Sequence, residues 1–308
     1  MLNRHGVIAG NALALGFFSV GIARAGELQD LLGQYALLDQ IAFTASVQVS
    51  IDRPDENGFC CALTAGDSEV INGWFSYIAD GSKWRMDSHL DPTKYPGMDT
   101  AMIFDGATFA YQAMDVCVLS VDDGPPPAVL GMMLLNPVFE PLQFLFPLDE
   151  SNEGSQPQLA DVKAVASATT LGTIQWTSVV VGGKTLDRTE FPGATYNGIA
   201  YTHHVYTKPG AHDRPVIIDR VDAAGGVITR ARLSHYEDAI SATGATTAWP
   251  RTVEWEVYEP NSGVLIAEIS MVIDAVSVND PDDIDPIAFD IQSLPAASTT
   301  SYNGVILP

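Results

Sequence analysis

The stretch GWFSYIADGSKWRMDSHL, residues 73–90, decides how the chain is read. It divides at Asp80-Gly81, a dipeptide that favours a tight turn between antiparallel strands. After the turn, Trp84, Met86, Ser88 and Leu90 share one face, and Arg85, Asp87 and His89 share the other. That is the period of two of a strand with one buried face. The same unit recurs outward. Residues 101–104 and 108–113 flank a second turn at Asp105-Gly106, and 116–121 add another strand. Upstream, Phe43, Ala45, Val47, Val49 and Ile51 alternate with Thr44, Ser46, Gln48 and Ser50.

Strand patterns resume at 173–181, followed by a Gly182-Gly183 turn, and continue at 198–207, 216–221, 227–236, 252–258 and 264–278. Residues 216–239 and 252–275 can be laid side by side without gaps, their turns in nearly the same place, which predicts two successive hairpins of one sheet. Helical spacing is confined to three places. Leu28, Leu31, Leu32 and Tyr35 mark a helix over 27–38, with Glu27 and Asp30 suiting its dipole. Pro137 starts, and Pro147 ends, a second helix over 137–146, with Pro141 inside it as a kink. Residues 159–168 form the third. The expected fold is therefore mainly β (α+β): a strongly curved antiparallel sheet forming an incomplete barrel of about 10–12 strands. The N-terminal helix and the central helices serve as plug or lid.

The 308 residues carry 15 basic and 38 acidic side chains, a formal charge of −23. A nucleic acid is thereby excluded as main partner, since binding one requires a cationic face, and an anionic membrane surface would repel the chain. With 46% apolar and 17% charged residues the chain is long and apolar enough for a full core. Residues 1–25 have the layout of a signal peptide. Arg4 precedes an apolar stretch, and Ala23-Arg24-Ala25 offers a cleavage pattern. The expected domains are this signal, a single body over 26–291, and a loose tail over 292–308, with Tyr302 to Leu307 docking. Export allows disulfides. Cys60 and Cys61 are adjacent and strained as a pair, so one bond from Cys117 to Cys60 or Cys61 is expected.

A family resemblance rests on motif order. Gly73-Trp74-Phe75 leads to Lys83-Trp84-Arg85-Met86-Asp87, and then to the aromatic hairpin Ile103-Phe104-Asp105-Gly106-Ala107-Thr108-Phe109-Ala110-Tyr111. Asn136-Pro137-Val138-Phe139 follows, and Val278-Asn279-Asp280 with Ile284-Asp285-Pro286-Ile287-Ala288-Phe289-Asp290 closes the series. This order resembles the LolA/LolB-like lipoprotein-carrier superfamily, as a larger divergent member. The resemblance implies an exported, mostly periplasmic protein with a half-barrel around an apolar cavity, for a lipid, an acyl chain or a lipid-modified protein. Residues 171–211 look like extra chain. The arginine that small carriers hold before the Asp-Gly hairpin has no counterpart, because Ile78 or Ala79 falls there and Arg85 lies on the next strand.

The candidate cavity residues are Trp74, Trp84, Met86, Phe104, Tyr111, Phe139, Leu142, Phe146, Trp176 and Trp255, with Met132 and Met133 nearby. Aromatics and methionines adapt to irregular apolar ligands. His203 and His204 are adjacent on a strand, point to opposite faces and cannot chelate together, so solvent-facing positions are expected. Asp280, Asp282, Asp283 and Asp285 make an oxygen-rich loop of the kind calcium takes, but without the EF-hand glycine and terminal glutamate a solvated loop is expected. No nucleophile elbow, zincin motif, Walker loop or dinucleotide fingerprint is present. No cofactor, no metal and no catalytic residue is expected. The leading reading is a carrier or binding protein. A sensor or protein-interaction module of the same fold with a filled core is the alternative, and an envelope hydrolase the weaker one.

Overall fold

A computed structural model of the chain describes residues 27–51, 69–93, 99–113, 118–124, 141–142, 144–145, 158–196, 199–259, 262–294, 297, 299–303 and 305–306. The expected signal peptide, all three cysteines and most of the 137–146 helix lie outside the described residues. The amphipathic start folds as α1 (Leu28–Tyr35), and β1 (Gln40–Ile51) follows. Next come β2 (Glu69–Asp80), β3 (Lys83–Leu90), β4 (Thr100–Phe104), β5 (Thr108–Ala113) and β6 (Val118–Asp123). Beyond a long crossover lies α2 (Leu159–Ala168). The second run is β7 (Thr177–Val181), β8 (Lys184–Tyr196), β9 (Ile199–Lys208), β10 (Ala211–Asp222), β11 (Val227–Ile240), β12 (Thr246–Tyr258) and β13 (Leu265–Val278). Two short strands, β14 (Thr299–Tyr302) and β15 (Val305–Ile306), end the series.

All fifteen join one sheet in the order β15-β14-β6-β5-β4-β3-β2-β1-β13-β12-β11-β10-β9-β8-β7. The sheet is curved and open, with β15 and β7 at its two edges. Every junction is antiparallel except β14–β6, which is parallel. The topology is thus a meander that starts in the middle, runs to one edge, crosses to the other and returns to the middle. β1 pairs with β13 along most of its length, Ile41 opposite Val278. Asn279 fastens this seam. Its Oδ1 accepts from the backbone N–H groups of Asp39 (2.7 Å) and Gln40 (2.9 Å), and its Nδ2 donates to the Leu37 carbonyl (2.7 Å).

The alternation read from the sequence fixes which face is inside. Phe43, Phe75, Tyr77, Trp84, Met102, Phe109, Trp255, Ile269 and Met271 face inward and bury against Leu28, Leu31, Leu32 and Tyr35 of α1 and Leu159 and Val162 of α2. Tyr35 packs on Trp249 with ring centres 5.1 Å apart. Polar contacts orient the helices: the Tyr77 hydroxyl donates to Gln158 Oε1 (2.9 Å), Gln34 Oε1 accepts from the Ala248 N–H (2.9 Å), and Lys163 pairs with Asp39. From the crossover, two short helical turns at 141–142 and 144–145 place Leu142 and Phe144 in the same inner core.

After β13 the chain crosses the outer face of the sheet. Three short 3-10 turns, Pro281–Asp283, Pro286–Phe289 and Ile291–Ser293, form a strap. Leu294 packs on Ala101, Ile103 and Ala110, and Arg85 Nη1 donates to the Ala288 carbonyl (3.3 Å) and Ser293 Oγ (3.2 Å). The strap delivers β14 to β6, where the Tyr302 hydroxyl donates to Asp123 Oδ1 (2.6 Å).

Three expectations need correction. The strands number fifteen among the described residues, not ten to twelve. β8 lies in 184–196, a segment whose Pro192 and Gly193 hid a strand, and β7 starts only at Thr177. The tail beyond 292 contributes β14 and β15 and is not loose along its length.

Candidate functional site

Most of the inner face is apolar, but over β8–β10 it is not. Thr189, His203, Thr207 and Arg220 point inward there, each less than a tenth exposed. Strand register brings them together. His203 lies opposite Arg220 of β10 and Phe191 of β8, and Thr189 lies opposite Val205, which shares His203's face. Directly opposite residues in such pairs have Cβ atoms about 5 Å apart. Gly193 allows the close approach: a Cβ there would lie 2.9 Å from the Tyr201 carbonyl oxygen and 3.2 Å from His203 Cδ2.

Burial decides the charge of these groups. The His203 pKa is driven down to about 3, chiefly because burial penalises the imidazolium and then because the Arg220 guanidinium and His204 repel it. His203 is therefore a neutral imidazole at physiological pH, and its Nδ1 has no hydrogen-bond partner among the described residues. The Thr207 hydroxyl is likewise buried without one. Tyr201 and Asp222 are the next titratable groups around Arg220: burial raises the Tyr201 pKa, and Arg220 pulls it back down.

A groove of about 480 Å³ opens beside this patch. One wall is the extended segment 171–177. The other is β8 from Arg188 to Phe191, so Thr189 and Phe191 belong to both the groove and the inner face. β7 pairs with β8 only as far as Arg188, which leaves the later part of that strand without a partner on this side among the described residues. Phe144 of the crossover packs against Phe191, ring centres 4.6 Å apart.

The cavity residues expected from the sequence divide into three groups. Trp84, Leu142 and Trp255 are buried in the inner core, with Met86, Phe104, Tyr111 and Trp176 packed against it. Trp74 is not among them. It stands on the outer face, 49% exposed, stacked on His89 at 3.9 Å. Phe139 and Phe146 lie outside the described residues. The indole N–H groups of Trp84, Trp249 and Trp255 are buried without partners among the described residues. His203, expected to face solvent, is 1% exposed. His204 does face outward, toward Glu190 (3.7 Å). His212 is held by Asp187 (3.0 Å) and by stacking on Trp176 at 4.1 Å.

Asp280, Asp285 and Asp290 each accept a backbone N–H two residues on, so the acidic run serves to cap the strap's turns. Among the described residues no group of three or more His, Cys, Asp or Glu side chains is placed to hold a metal ion. The sequence reading missed the patch because it weighed His203 with its neighbour in sequence. Val205 and Ile218, inner-face residues two positions from His203 and Arg220, were the signal that could have revealed it. What the patch offers chemically is a fixed cation, a neutral imidazole and hydroxyl groups beside aromatic rings, a set suited to binding.

No protein-family model matches the chain, and no curated protein matches it. Among solved structures it is similar to a putative outer membrane lipoprotein-sorting protein domain from Vibrio parahaemolyticus, at 10% identity and a TM-score of 0.42, over 86% of this chain and 97% of that one. It is similar to a DUF1329 family protein from Desulfovibrio piger, at 11% identity and a TM-score of 0.44, over 87% and 97%. It is also similar to a LolA superfamily protein from Nitrosomonas europaea, at 11% identity and a TM-score of 0.43, over 88% and 100%.

Proposed function

We propose that the protein is an exported carrier that holds the acyl chain of a lipid, or of a lipid-modified protein, against the inner face of its sheet. The observation that carries this reading is the cover. Leu142 and Phe144 belong to the connection between β6 and α2, yet both are buried on the inner face, and Phe144 packs against Phe191, a residue that lines the groove. Two short turns are a small unit to displace, and what they uncover is aromatic and aliphatic. An acyl chain entering beside Phe191 would take over the contacts of Phe144, gaining roughly 0.8 kcal/mol for each methylene removed from water. The motif order of the sequence, which resembles lipoprotein carriers, points the same way, and export follows from the layout of residues 1–25. An uncatalysed role in binding fits a site of donors and rings.

A second reading, an envelope sensor of the same fold with a permanently filled core, draws on the tight burial of Trp84 and Trp249. Native mass spectrometry of the gently purified full chain separates the two. A carrier is expected to retain acyl-chain masses that detergent washing removes and added fatty acid restores. Phe144→Asp should lower that uptake by about tenfold or more, because a carboxylate at the mouth opposes both closure and an apolar guest. A protein that never carries an adduct and does not take up added fatty acid would leave the sensor.

A further inference from the structure

We propose that β7 is a self-association edge, through which two copies of the chain join antiparallel, β7 against β7, about a two-fold axis at Val179. The inference stands apart from the carrier reading, because it concerns the rim of the sheet and not its inner face. Three observations meet at this strand. β7 ends the sheet among the described residues, so one row of its backbone groups has no strand beside it. Nothing guards that row. The opposite edge, β15, is blunted by being two residues long, whereas Thr177–Val181 has five residues and neither proline nor charge, and its Val180 is 72% exposed. Finally, Leu186, Tyr206 and Ile217 make a small apolar cluster that extends onto Val179 and Val181 and stops at the edge, leaving both valines half-buried.

The hairpin fixes which groups point outward. Gly182 and Gly183 have φ of 55° and 77°, and Val181 lies opposite Lys184, the arrangement of a two-residue type I′ turn. The pair flanking such a turn exchanges both backbone bonds, and the pattern alternates along an antiparallel ladder. Val181, Val179 and Thr177 therefore bond to β8, and Ser178 and Val180 turn their N–H and C=O groups to the open side. A two-fold axis at Val179 sets Ser178 of each copy opposite Val180 of the other, and each such pair exchanges both its bonds. The same axis sets Val179 against its own counterpart and joins the two apolar clusters into one. Charge selects the occupant. With 15 basic and 38 acidic side chains, two copies repel over most of their surface, but Thr169 to Gly183 contains no charged residue. A neutral apolar strip matched to its own reverse fits a second copy better than it fits a cationic partner, which the rest of the surface would attract. An isologous contact of this kind closes on itself, so assembly stops at the dimer.

Analytical ultracentrifugation of the purified full chain tests this. Monomer and dimer should exchange, as expected of a narrow interface. The dimer fraction should grow with protein concentration and with added salt, which screens the repulsion between like-charged chains. Val180→Pro removes one outward N–H and leaves the bonds to β8 in place, and should weaken the dimer about tenfold or more. Val305→Lys, at the other edge, should leave it unchanged. Register is read by mild oxidation and peptide mapping. Val179→Cys should link to residue 179 of the second copy, because facing Cβ atoms lie about 5 Å apart, whereas Ser178→Cys, set opposite Val180, should not link to itself. If Val180→Pro does not fold, the Val179→Cys link decides. A chain that stays monomeric at every concentration and salt overturns the proposal, as does a dimer that Val180→Pro leaves equally tight. Species that grow beyond the dimer would mean a head-to-tail contact of two different edges and overturn the two-fold axis. Equal linking of Ser178→Cys and Val179→Cys would mean chance collision and overturn it as well.

Discussion

The two wings of the sheet bury their side chains by different means. On one side of the β1–β13 seam, β2–β6 are apolar inside and partly apolar outside as well, and the strap of 3-10 turns covers Ala101, Ile103 and Ala110. On the other side, β8–β12 carry charge on both faces. The outer face holds a ladder in which Arg230 grips Asp219 through two bonds (2.7 and 2.8 Å) and Arg232 grips Glu256 (3.1 and 3.3 Å). Tyr258 donates to Glu256 (2.5 Å); burial and that bond push its pKa up to about 12. The inner face holds His203 and Arg220. The first wing is a wall, closed inside by the hydrophobic core and covered outside, over β4 and β5, by the strap. The second has kept the buried polar groups His203 and Arg220 where aliphatic residues would also have packed.

The comparison breaks most sharply at Asp219, which is 1% exposed. Asp219→Ala leaves the Arg230 guanidinium half-buried beside Tyr206, and should cost about 3–5 kcal/mol in urea unfolding. Adding Arg230→Met should recover much of that, because the ladder's value lies in pairing. On the wall, Ile103→Ala should cost about 2–4 kcal/mol, since the side chain is fully covered by the strap. Val272→Ala, on the outer face of β13 and 45% exposed, should change stability by less than about 0.5 kcal/mol. If Ile103 and Val272 prove equally dispensable, the strap packs nothing and the distinction between the wings fails.

A pH-dependent effect is specific to His203. Its pKa is depressed in the folded state, so the unfolded chain binds the extra proton. Stability is whole above the ordinary histidine pKa and falls as pH drops from about 6.5 toward about 3. Between pH 7 and pH 4.5 the histidine should remove about 2–3 kcal/mol. The pH dependence of His203→Gln should be shallower than that of the parent by this amount; identical slopes would mean that the imidazole is not held neutral.

How far the sequence reaches follows from the same contrast. The wall was legible almost residue by residue. Period-two alternation over 73–90 and 101–113 sets β2–β5, and two Asp-Gly pairs set their turns. Helix α2 falls on the residues where it is expected. β8 was not legible, because KTLDRTEFPGATY alternates weakly and contains a proline that ordinary strands reject. Its location resolves this, since beyond Arg188 the strand lies at an edge, where proline is tolerated. β14 was hidden for another reason: its partner, β6, lies some 180 residues away, and no local pattern encodes a parallel pairing over that distance. The polar patch needed the register of three strands before His203 and Arg220 could be seen as neighbours. Trp74 shows the converse error, a bulky residue assigned by type to the interior although its own alternation with Phe75 and Tyr77 places it outside.

The Asn279 side chain clasps backbone groups some 240 residues earlier in the chain, and with it the first strand finds its second neighbour almost last. Until β13 exists, β1 presents one full row of unpaired amides, and neither wing can share the core of the other. Loops of this span are slow to close, and sheets built from such distant pairings fold on the millisecond-to-second scale, not in microseconds. An incomplete chain is therefore a sticky one, with an open edge able to recruit a second molecule. The seam between β1 and β13 therefore adds a hazard of its own, confined to the interval between the emergence of β1 and the arrival of β13.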